Sequence, residues 1–176
     1  MLPSQVLDNF LDFCAQKTLP PERVEEVVQR LRSEGKTIAT INGSFDLMHA
    51  GHLEILYEAS KQADILLVAL NSDASIQKYK SQYRRPERPI IPLEYRLRMM
   101  AALEFVDYVT WFEETDPRAL LEKIRPDVHV NGAEYGHNCI EAEVVRRHGG
   151  HVHIVELVPG LSTSQIVAKI QGSRCG

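Results

Sequence analysis

Residues 37–60 place a glycine-rich turn with two histidines between a predicted strand and a predicted helix. Residues 43–52 have the sequence Gly-Ser-Phe-Asp-Leu-Met-His-Ala-Gly-His. They follow a β-rich run at 37–41 and precede apolar residues at helical spacing from Leu53 onward. A strand that leads through such a turn into a helix leaves backbone N–H groups unpaired, and these groups attract anions. The segment therefore predicts an α/β unit with a nucleotide phosphate site.

His49 and His52 lie three residues apart at the predicted start of this helix, so both imidazoles can face one point beyond its end. Gly51 lets the backbone come close to a ligand. Two N–H donors beside a helix N-terminus would stabilise negative charge on a phosphoryl group without a covalent intermediate. Two alternatives remain open: the histidines as metal ligands, or as structural residues at a tight turn.

Apolar β-rich runs alternate with helical patterns along most of the chain, which is typical of an α/β fold. We predict a Rossmann-like open parallel five-stranded sheet with helices on both faces. It occupies residues 36–171, after an N-terminal helical extension over 1–35 and before a flexible tail over 172–176. Ligands bind such sheets beyond the carboxyl ends of the strands. The predicted strands are 37–42, 64–70, 107–111, 127–131 and 151–156, and the predicted helices of the sheet domain are 51–62, 92–104, 117–124, 139–148 and 163–171.

Composition excludes several classes of protein and partner. With 176 residues, 44% of them hydrophobic, the chain can bury the core of one domain. A net charge of -4 argues against a general nucleic-acid-binding protein. The longest apolar run, 65–70, is too short to span a bilayer, and three cysteines without close spacing indicate neither disulfides nor a zinc site. We therefore expect a soluble cytoplasmic protein with no nucleic-acid partner, no membrane partner and no protein metal site.

A segment with little helical or strand pattern follows the second predicted strand, from Asn71 to Ile91. Its length predicts a lid or binding loop, and a solvated basic loop is the alternative. Asn71 and Asp73 end the strand at the rim of the predicted site, where Asp73 could orient an acceptor or only cap a turn. The basic residues of the segment are Lys78, Lys80, Arg84, Arg85 and Arg88.

A second helix start is predicted near Ser162, because Gln165 three residues later completes a capping-box pattern. The hydroxyls of Ser162, Thr163 and Ser164 would then lie at a helix N-terminus, where they can donate to phosphate oxygens. A plain N-cap explains Ser162 but not the whole hydroxyl cluster. Two helix N-termini could thus hold opposite ends of one triphosphate.

The motif Gly43-x-Phe45-Asp46-x-x-His49-x-Gly51-His52 resembles the signature of the HxGH nucleotidyltransferases, the cytidylyl- and adenylyltransferases that share a fold with class I aminoacyl-tRNA synthetases. Within that group the chain looks most like the adenylyltransferases that convert heptose 1-phosphate to ADP-heptose. Three further blocks carry the closer resemblance: Val-Ala-Leu-Asn-Ser-Asp at 68–73, Arg-Pro-x-x-Pro-Leu-Glu-x-Arg at 88–96 and Gly-Leu-Ser-Thr-Ser at 160–164.

This resemblance implies transfer of AMP from ATP to a sugar 1-phosphate, with Mg²⁺ accompanying the nucleotide. Its catalytic residues would be His49, His52 and Lys80, although the assignment among the basic residues of the loop is open. Arg96 would lie near the phosphates, or it could bind a carboxylate such as Glu94 or Glu104. The implied nucleotide-binding residues are Asn42, Gly43, Ser44, Phe45, Gly51, Arg96, Asn131, Gly132, Ser162, Thr163 and Ser164. The implied acceptor-binding residues are Asp46, Asn71, Asp73, Arg84, Arg85, Arg88 and Glu134.

Asn131 is the main departure from the heptose pattern, which has Lys-Gly-x-Asp-Tyr where this chain has Asn-Gly-Ala-Glu-Tyr at 131–135. Asp46 carries a second expectation, that it orders the backbone, because a carboxylate aimed at a triphosphate would oppose binding. A cytidylyltransferase acting on glycerol 3-phosphate is the second hypothesis for function, although that group's Arg-Thr-x-Gly is absent at 157–160. An inactive nucleotide-binding regulatory module is the third. We further expect a homodimer or larger homo-oligomer.

Overall fold

The computed structural model describes residues 9–80, 88–156 and 162–172, which form a parallel five-stranded sheet with helices on both faces. The strands are rich in Val, Ile and Leu because both faces of the sheet are covered. Their order is β3-β2-β1-β4-β5, with Ile38 beside Ile65 and Ala39 beside Val128. The predicted fold is confirmed, with every strand boundary within one residue of its expected place. The strands are β1 Ile38–Gly43, β2 Ile65–Asn71, β3 Tyr108–Phe112, β4 Val128–Gly132 and β5 His151–Val155.

Helices α1, α3 and α5 contribute buried residues to the core on one face of the sheet, and α2 and α6 to the core on the other face. Within the described ranges, no helix is both long and apolar enough to cross a membrane. The helices are α1 Phe10–Lys17, α2 Val24–Ser33, α3 Ala50–Ser60, α4 Asp73–Lys80, α5 Leu93–Ala101, α6 Arg118–Ile124, α7 Ala142–Arg147 and α8 Thr163–Gly172.

The two N-terminal helices are tied to opposite faces of the sheet. Lys17, at the end of α1, donates from Nζ to the carbonyls of Leu103 and Val106 at 2.9 and 2.7 Å. Two residues further on, the N–H of Leu19 donates to the Val109 carbonyl at 2.8 Å. The apolar stripe of α2 is buried with α6 on the other face. The predicted boundary between residues 35 and 36 falls between α2 and β1.

Helix α4 corrects the expectation of a patternless segment from Asn71 to Ile91. The segment lacks helical apolar periodicity because only Ser75 and Ile76 among residues 73–78 are buried. Its start is fixed by a cap: Ser72 Oγ accepts from the Ser75 N–H at 3.1 Å and donates to Glu113 at 2.7 Å. Residues 81–87, and with them Arg84 and Arg85, lie outside the described residues.

His129 on β4 is fully buried beneath the sheet's helices, paired with Thr40 on β1. Its Nδ1 lies 2.8 Å from Thr40 Oγ1, and its Nε2 has no hydrogen-bond partner among the described residues. Burial lowers the pKa of His129 to about 4, against an opposing effect of the Glu141 carboxylate. The imidazole is therefore neutral at pH 7 in the folded protein.

We expect the free energy of unfolding to fall as pH drops from about 6.5, the usual pKa of an unfolded histidine, to about 4. In that window the unfolded chain binds a proton at His129 and the folded chain does not, so acid favours unfolding. For a folded pKa of about 4, this one group costs about 2 kcal/mol at pH 5.

Urea unfolding at pH 7 and pH 5 measures this loss. A Thr40→Val/His129→Leu double variant, which removes both partners together, should lose about 2 kcal/mol less than the wild type between the two values. The exposed His151→Gln variant is the control and should keep the wild-type dependence. Equal pH dependence in the double variant and the wild type would contradict the assignment.

Candidate active site

A cleft opens at the carboxyl ends of β1 and β4, in the middle of the sheet. β1 lies between β2 and β4, so the connections diverge there, and parallel α/β sheets bind ligands at such a switch point. The cleft brings together the turn after β1, the start of α3, the end of β4 and the start of α8. Its lining residues are Ile41, Asn42, Gly43, Ser44, Phe45, His49, Gly51, His52, Ile55, Asn131, Gly132, Glu134, Tyr135, Ser162 and Thr163.

The turn after β1 supports the imidazole of His52 through a buried aromatic ring. Phe45 has a φ of 44°, a left-handed value that side chains other than glycine rarely adopt. A Cβ at Gly43 would lie only 3.1 Å from the Phe45 ring, so any other residue at position 43 would crowd that ring. The ring contacts His52 edge to face, with centroids 5.4 Å apart.

His49 and His52 stack on one another at the N-terminus of α3. His49 is the extended N-cap residue and His52 lies in the first turn, with ring centroids 3.9 Å apart and planes inclined by 24°. Nδ1 of each ring is buried without a hydrogen-bond partner among the described residues. Both residues line the cleft, so a ligand there would lie against the stacked rings.

Both imidazoles are neutral at pH 7. Burial lowers the pKa of His49, and burial together with the neighbouring His49 lowers the pKa of His52 to about 4. A neutral imidazole keeps one N–H donor and one acceptor nitrogen. The pair can therefore donate two hydrogen bonds to a phosphoryl group without holding two positive charges side by side.

The N-terminus of α3 lies at the same cleft, which Gly51 lines. The N–H of His52 bonds to the His49 carbonyl at 2.9 Å, so the N–H groups of Ala50 and Gly51 precede the first intrahelical bond. Helix N-termini carry a partial positive charge that favours anions.

Ser162 and Thr163 bring the start of α8 to the cleft, as the sequence predicts. Ser162 Oγ accepts from the Gln165 N–H at 3.2 Å, which is the N-cap half of the expected capping box. Thr163 Oγ1 donates to the Leu47 carbonyl at 3.4 Å and so joins α8 to the turn before α3. Ser164 is exposed and is not one of the cleft-lining residues.

Asp46 is buried and is not one of the residues that line the cleft. Its carboxylate accepts from the N–H groups of Ile90 and Ile91 at 2.9 and 2.8 Å and pairs with Arg88. This arrangement agrees with the backbone-ordering expectation and corrects the acceptor-binding one for both Asp46 and Arg88. The physical reason is that each charge is neutralised by the other inside the protein.

Arg96 is also turned inward, which corrects its assignment to the nucleotide. Its side chain is 0% exposed, and Nη2 donates to Asp73 at 2.6 Å. Nη1 donates to the carbonyls of Ser44 and Asn71 at 2.7 and 2.9 Å, and Nε donates to that of Ile91 at 2.9 Å. The alternative of a carboxylate partner holds, but the partner is Asp73 rather than Glu94 or Glu104.

Two of the residues predicted to bind the acceptor have partners within the protein. Asn71 donates from Nδ2 to Ser75 Oγ at 3.0 Å, and Asp73 also accepts from the Leu93 N–H at 3.3 Å. Lys80 ends α4, after β2, and its side chain lies outside the described part of the chain. The catalytic role predicted for Lys80 stays a prediction.

Asn131, Gly132 and Glu134 form the opposite wall of the cleft. Asn131 is buried and donates from Nδ2 to the buried carboxylate of Glu141 at 3.4 Å. Glu141 and His129 were not picked out by any sequence motif. In the sequence, each is only a polar residue with apolar residues near it, and this pattern does not show whether the side chain is buried or exposed.

A parallel α/β sheet with paired neutral imidazoles and two helix N-termini at its switch point defines a nucleotide-binding protein of the phosphoryl-transfer type. The sequence model of the cytidylyltransferase-like family matches residues 40–169, about three quarters of the chain. The chain belongs to this family, and the predicted enzyme class, nucleotidyltransferase, is confirmed.

Several known proteins are similar to this chain over most of its length. The bifunctional protein HldE of Hahella chejuensis is 41% identical over 85% of this chain and 31% of the relative. That of Azotobacter vinelandii is 42% identical over the same shares. A lipopolysaccharide core biosynthesis protein from Thermoplasma volcanium superposes with a TM-score of 0.54 and 27% identity over 70% of this chain and 98% of that one. The chain thus spans about 31% of the length of the curated relatives.

Proposed function

We propose that the protein transfers AMP from ATP to a sugar 1-phosphate, with heptose 1-phosphate as the acceptor, and releases ADP-heptose and pyrophosphate. The observation that carries this proposal is the stacked, neutral pair His49 and His52 at the N-terminus of α3. Support for the sugar comes from the sequence blocks shared with heptose adenylyltransferases and from the similarity to HldE proteins. A role in lipopolysaccharide core synthesis is part of the proposal.

In the proposed reaction an oxygen of the acceptor phosphate attacks the α-phosphorus of ATP, and the bond to pyrophosphate breaks on the far side. Negative charge grows on the non-bridging oxygens as this happens. One N–H from each of His49 and His52, with the backbone N–H groups of α3, would stabilise that charge. Neither ring needs to gain or lose a proton, which suits the lowered pKa of each.

The triphosphate would extend toward α8, where the hydroxyls of Ser162 and Thr163 lie at a helix N-terminus. Lys80 is proposed to bind the leaving pyrophosphate and to neutralise part of its negative charge. The described residues contain no group of three His, Cys, Asp or Glu side chains suited to a metal, so Mg²⁺ is proposed to enter bound to the phosphates and to neutralise part of their charge. The homo-oligomeric state and the cytoplasmic location stay predictions.

Pyrophosphate release tests the proposal. The protein is incubated with ATP or CTP and with heptose 1-phosphate, glucose 1-phosphate or glycerol 3-phosphate, and products are identified by mass spectrometry. We expect turnover with ATP and heptose 1-phosphate. Turnover with CTP and glycerol 3-phosphate would replace the proposal by the cytidylyltransferase hypothesis, and nucleotide binding without turnover by any pair would favour a regulatory module.

A further inference from the structure

The turn between β1 and α3, residues 44–47, is held by several separate parts of the protein. Each of its four residues has a partner far away in the chain or in the helix that follows. The contacts are Ser44 with Arg96 on α5, Phe45 with His52 on α3, Asp46 with residues 88–91 before α5, and Leu47 with Thr163 on α8. A turn that is held at every residue has a fixed conformation, and the side chains it carries are fixed with it.

Phe45 has the least favourable backbone conformation of the four. Its φ of 44° lies in the left-handed region, which costs free energy for any residue with a Cβ. Such a conformation persists only where the surroundings enforce it, and residues of this kind are concentrated at functional sites. The Phe45 ring is buried in the core cluster that also contains Ile55 and Leu56 of α3, and its edge-to-face contact with His52 extends that cluster to the cleft.

The ion pair of Asp46 and Arg88 anchors the backbone next to Phe45. The side chain of Asp46 is 0% exposed and that of Arg88 is 15% exposed. A carboxylate buried to this degree is strongly destabilising without a partner, so the pair and the two N–H donors of Ile90 and Ile91 keep Asp46 in one place. Neither Asp46 nor Arg88 is among the described residues that line the cleft. Any effect of Arg88 on the site therefore passes through the turn.

The imidazole of His52 is the group that this anchor reaches. The Phe45 ring covers one side of it and His49 stacks on another. Burial and the neighbouring His49 lower the pKa of His52 to about 4, so the pKa reports how well the ring is enclosed. The other titratable side chains among the described residues that line the cleft are those of Glu134 and Tyr135.

We propose that three residues act in series to position the His52 imidazole: Arg88, Asp46 and Phe45. The buried ion pair holds the turn in its left-handed conformation, and the Phe45 ring holds the imidazole against His49. This inference rests on the proposed function for the role of His52 in turnover. It makes Arg88 a positioning residue of the reaction, although Arg88 does not line the cleft.

NMR titration of His52 between pH 8 and 5 tests the positioning without requiring turnover. The full chain carries ¹³C-labelled histidine, and the His52 signal is the one missing in His52→Gln. In the wild type this signal should stay that of a neutral ring, because the pKa is about 4. Phe45→Leu and Arg88→Met should admit water to the ring and raise the pKa above about 5, toward its usual 6.5. Arg88→Lys keeps a positive charge beside Asp46 and should resemble the wild type.

Rates of pyrophosphate release test the action in series. Phe45→Leu and Arg88→Met should each lower kcat by roughly 10- to 100-fold, the scale for misplacing a catalytic group. The KM for ATP should change less than about threefold, since no phosphate contact is removed. The Phe45→Leu/Arg88→Met double variant should lose no more than about the larger single loss, because effects of residues that act as a unit do not add.

Leu121→Ala is the matched control for a loss of stability alone. Leu121 is 1% exposed on α6 and packs with Val144 and Val145 of α7, and it is not one of the cleft-lining residues. Its truncation destabilises the fold, which thermal melts measure for every variant, but it should leave the His52 signal and kcat unchanged.

An unshifted His52 signal in Phe45→Leu or in Arg88→Met would overturn the inference, as would a shifted signal in Leu121→Ala. Losses of kcat that multiply in the double variant would also overturn it. If the titrations behave as expected but the wild type releases no pyrophosphate with any pair of substrates, only the proposed function fails.

Discussion

The His52→Ala variant is expected to lower kcat for nucleotidyl transfer by about 10²- to 10³-fold, the scale for losing one preorganised donor to a charged transition state. His52 is the more enclosed of the two rings, held between His49 and Phe45. Such fixed donors need no reorganisation when charge develops. ATP affinity should change much less, because the helix N-termini and hydroxyls that hold the phosphates remain. Initial rates of pyrophosphate release against ATP concentration separate the two effects.

His49→Ala should show a loss of the same order, while His151→Ala, which removes an exposed imidazole on β5, is the control and should keep wild-type rates. His52→Gln is a second control: its amide retains an N–H donor, so it should turn over faster than His52→Ala. If both alanine variants turned over normally, the cleft described here would not be the active site.

Arg96→Met should lower the free energy of unfolding by about 3–5 kcal/mol, because it removes a buried charge with four partners. The buried stem is roughly preserved, so the loss reports the guanidinium. Three backbone carbonyls, of Ser44, Asn71 and Ile91, would be left without their donor, and each unsatisfied buried group costs about 1–3 kcal/mol. Asp73 is 40% exposed, and water can solvate its carboxylate in the variant.

Urea unfolding at pH 7 measures this loss. Arg98→Met is the matched control on the same helix, because Arg98 is 38% exposed and its only described ion pair, with Glu94, is 4.0 Å long. A surface pair of that kind contributes at most about 1 kcal/mol. A loss below about 1 kcal/mol for Arg96→Met would show that water or neighbouring groups replace the guanidinium.

The parts of the cleft that the sequence predicts correctly are those encoded in one continuous segment. His49, His52 and Gly51 lie in one helix start, and Ser162 and Thr163 in another, so spacing alone places them. The strands could be predicted equally well from the sequence, because apolar β-rich runs that alternate with helical patterns are typical of a parallel sheet. In each case the determining residues are neighbours along the chain.

What the sequence could not show is which charged side chains face inward. Asp46 is paired with Arg88 and Asp73 with Arg96, over separations of 42 and 23 residues. The position of all four in the motifs suggested ligand contacts. From sequence alone, a charged residue beside a predicted site can either bind the ligand or pair with another charge inside the protein. Helix α4 was missed for a related reason. The start of α4 is fixed by the cap at Ser72, whose hydroxyl also bonds to Glu113, the residue after β3. An apolar period in the helix sequence does not mark it.

Helix α8 and the residue before it contribute two cleft residues, Thr163 and Ser162, although none of the helix's own residues is buried. Its attachment to the rest of the molecule includes the long hydrogen bond from Thr163 to Leu47. A triphosphate held between α3 and α8 would therefore be a tertiary contact in its own right, joining segments more than a hundred residues apart in the chain. During synthesis, a chain that ends before residue 162 contains His49 and His52 but lacks the hydroxyls of Ser162 and Thr163. The site for the triphosphate would be complete only once α8 has been made and has packed beside α3.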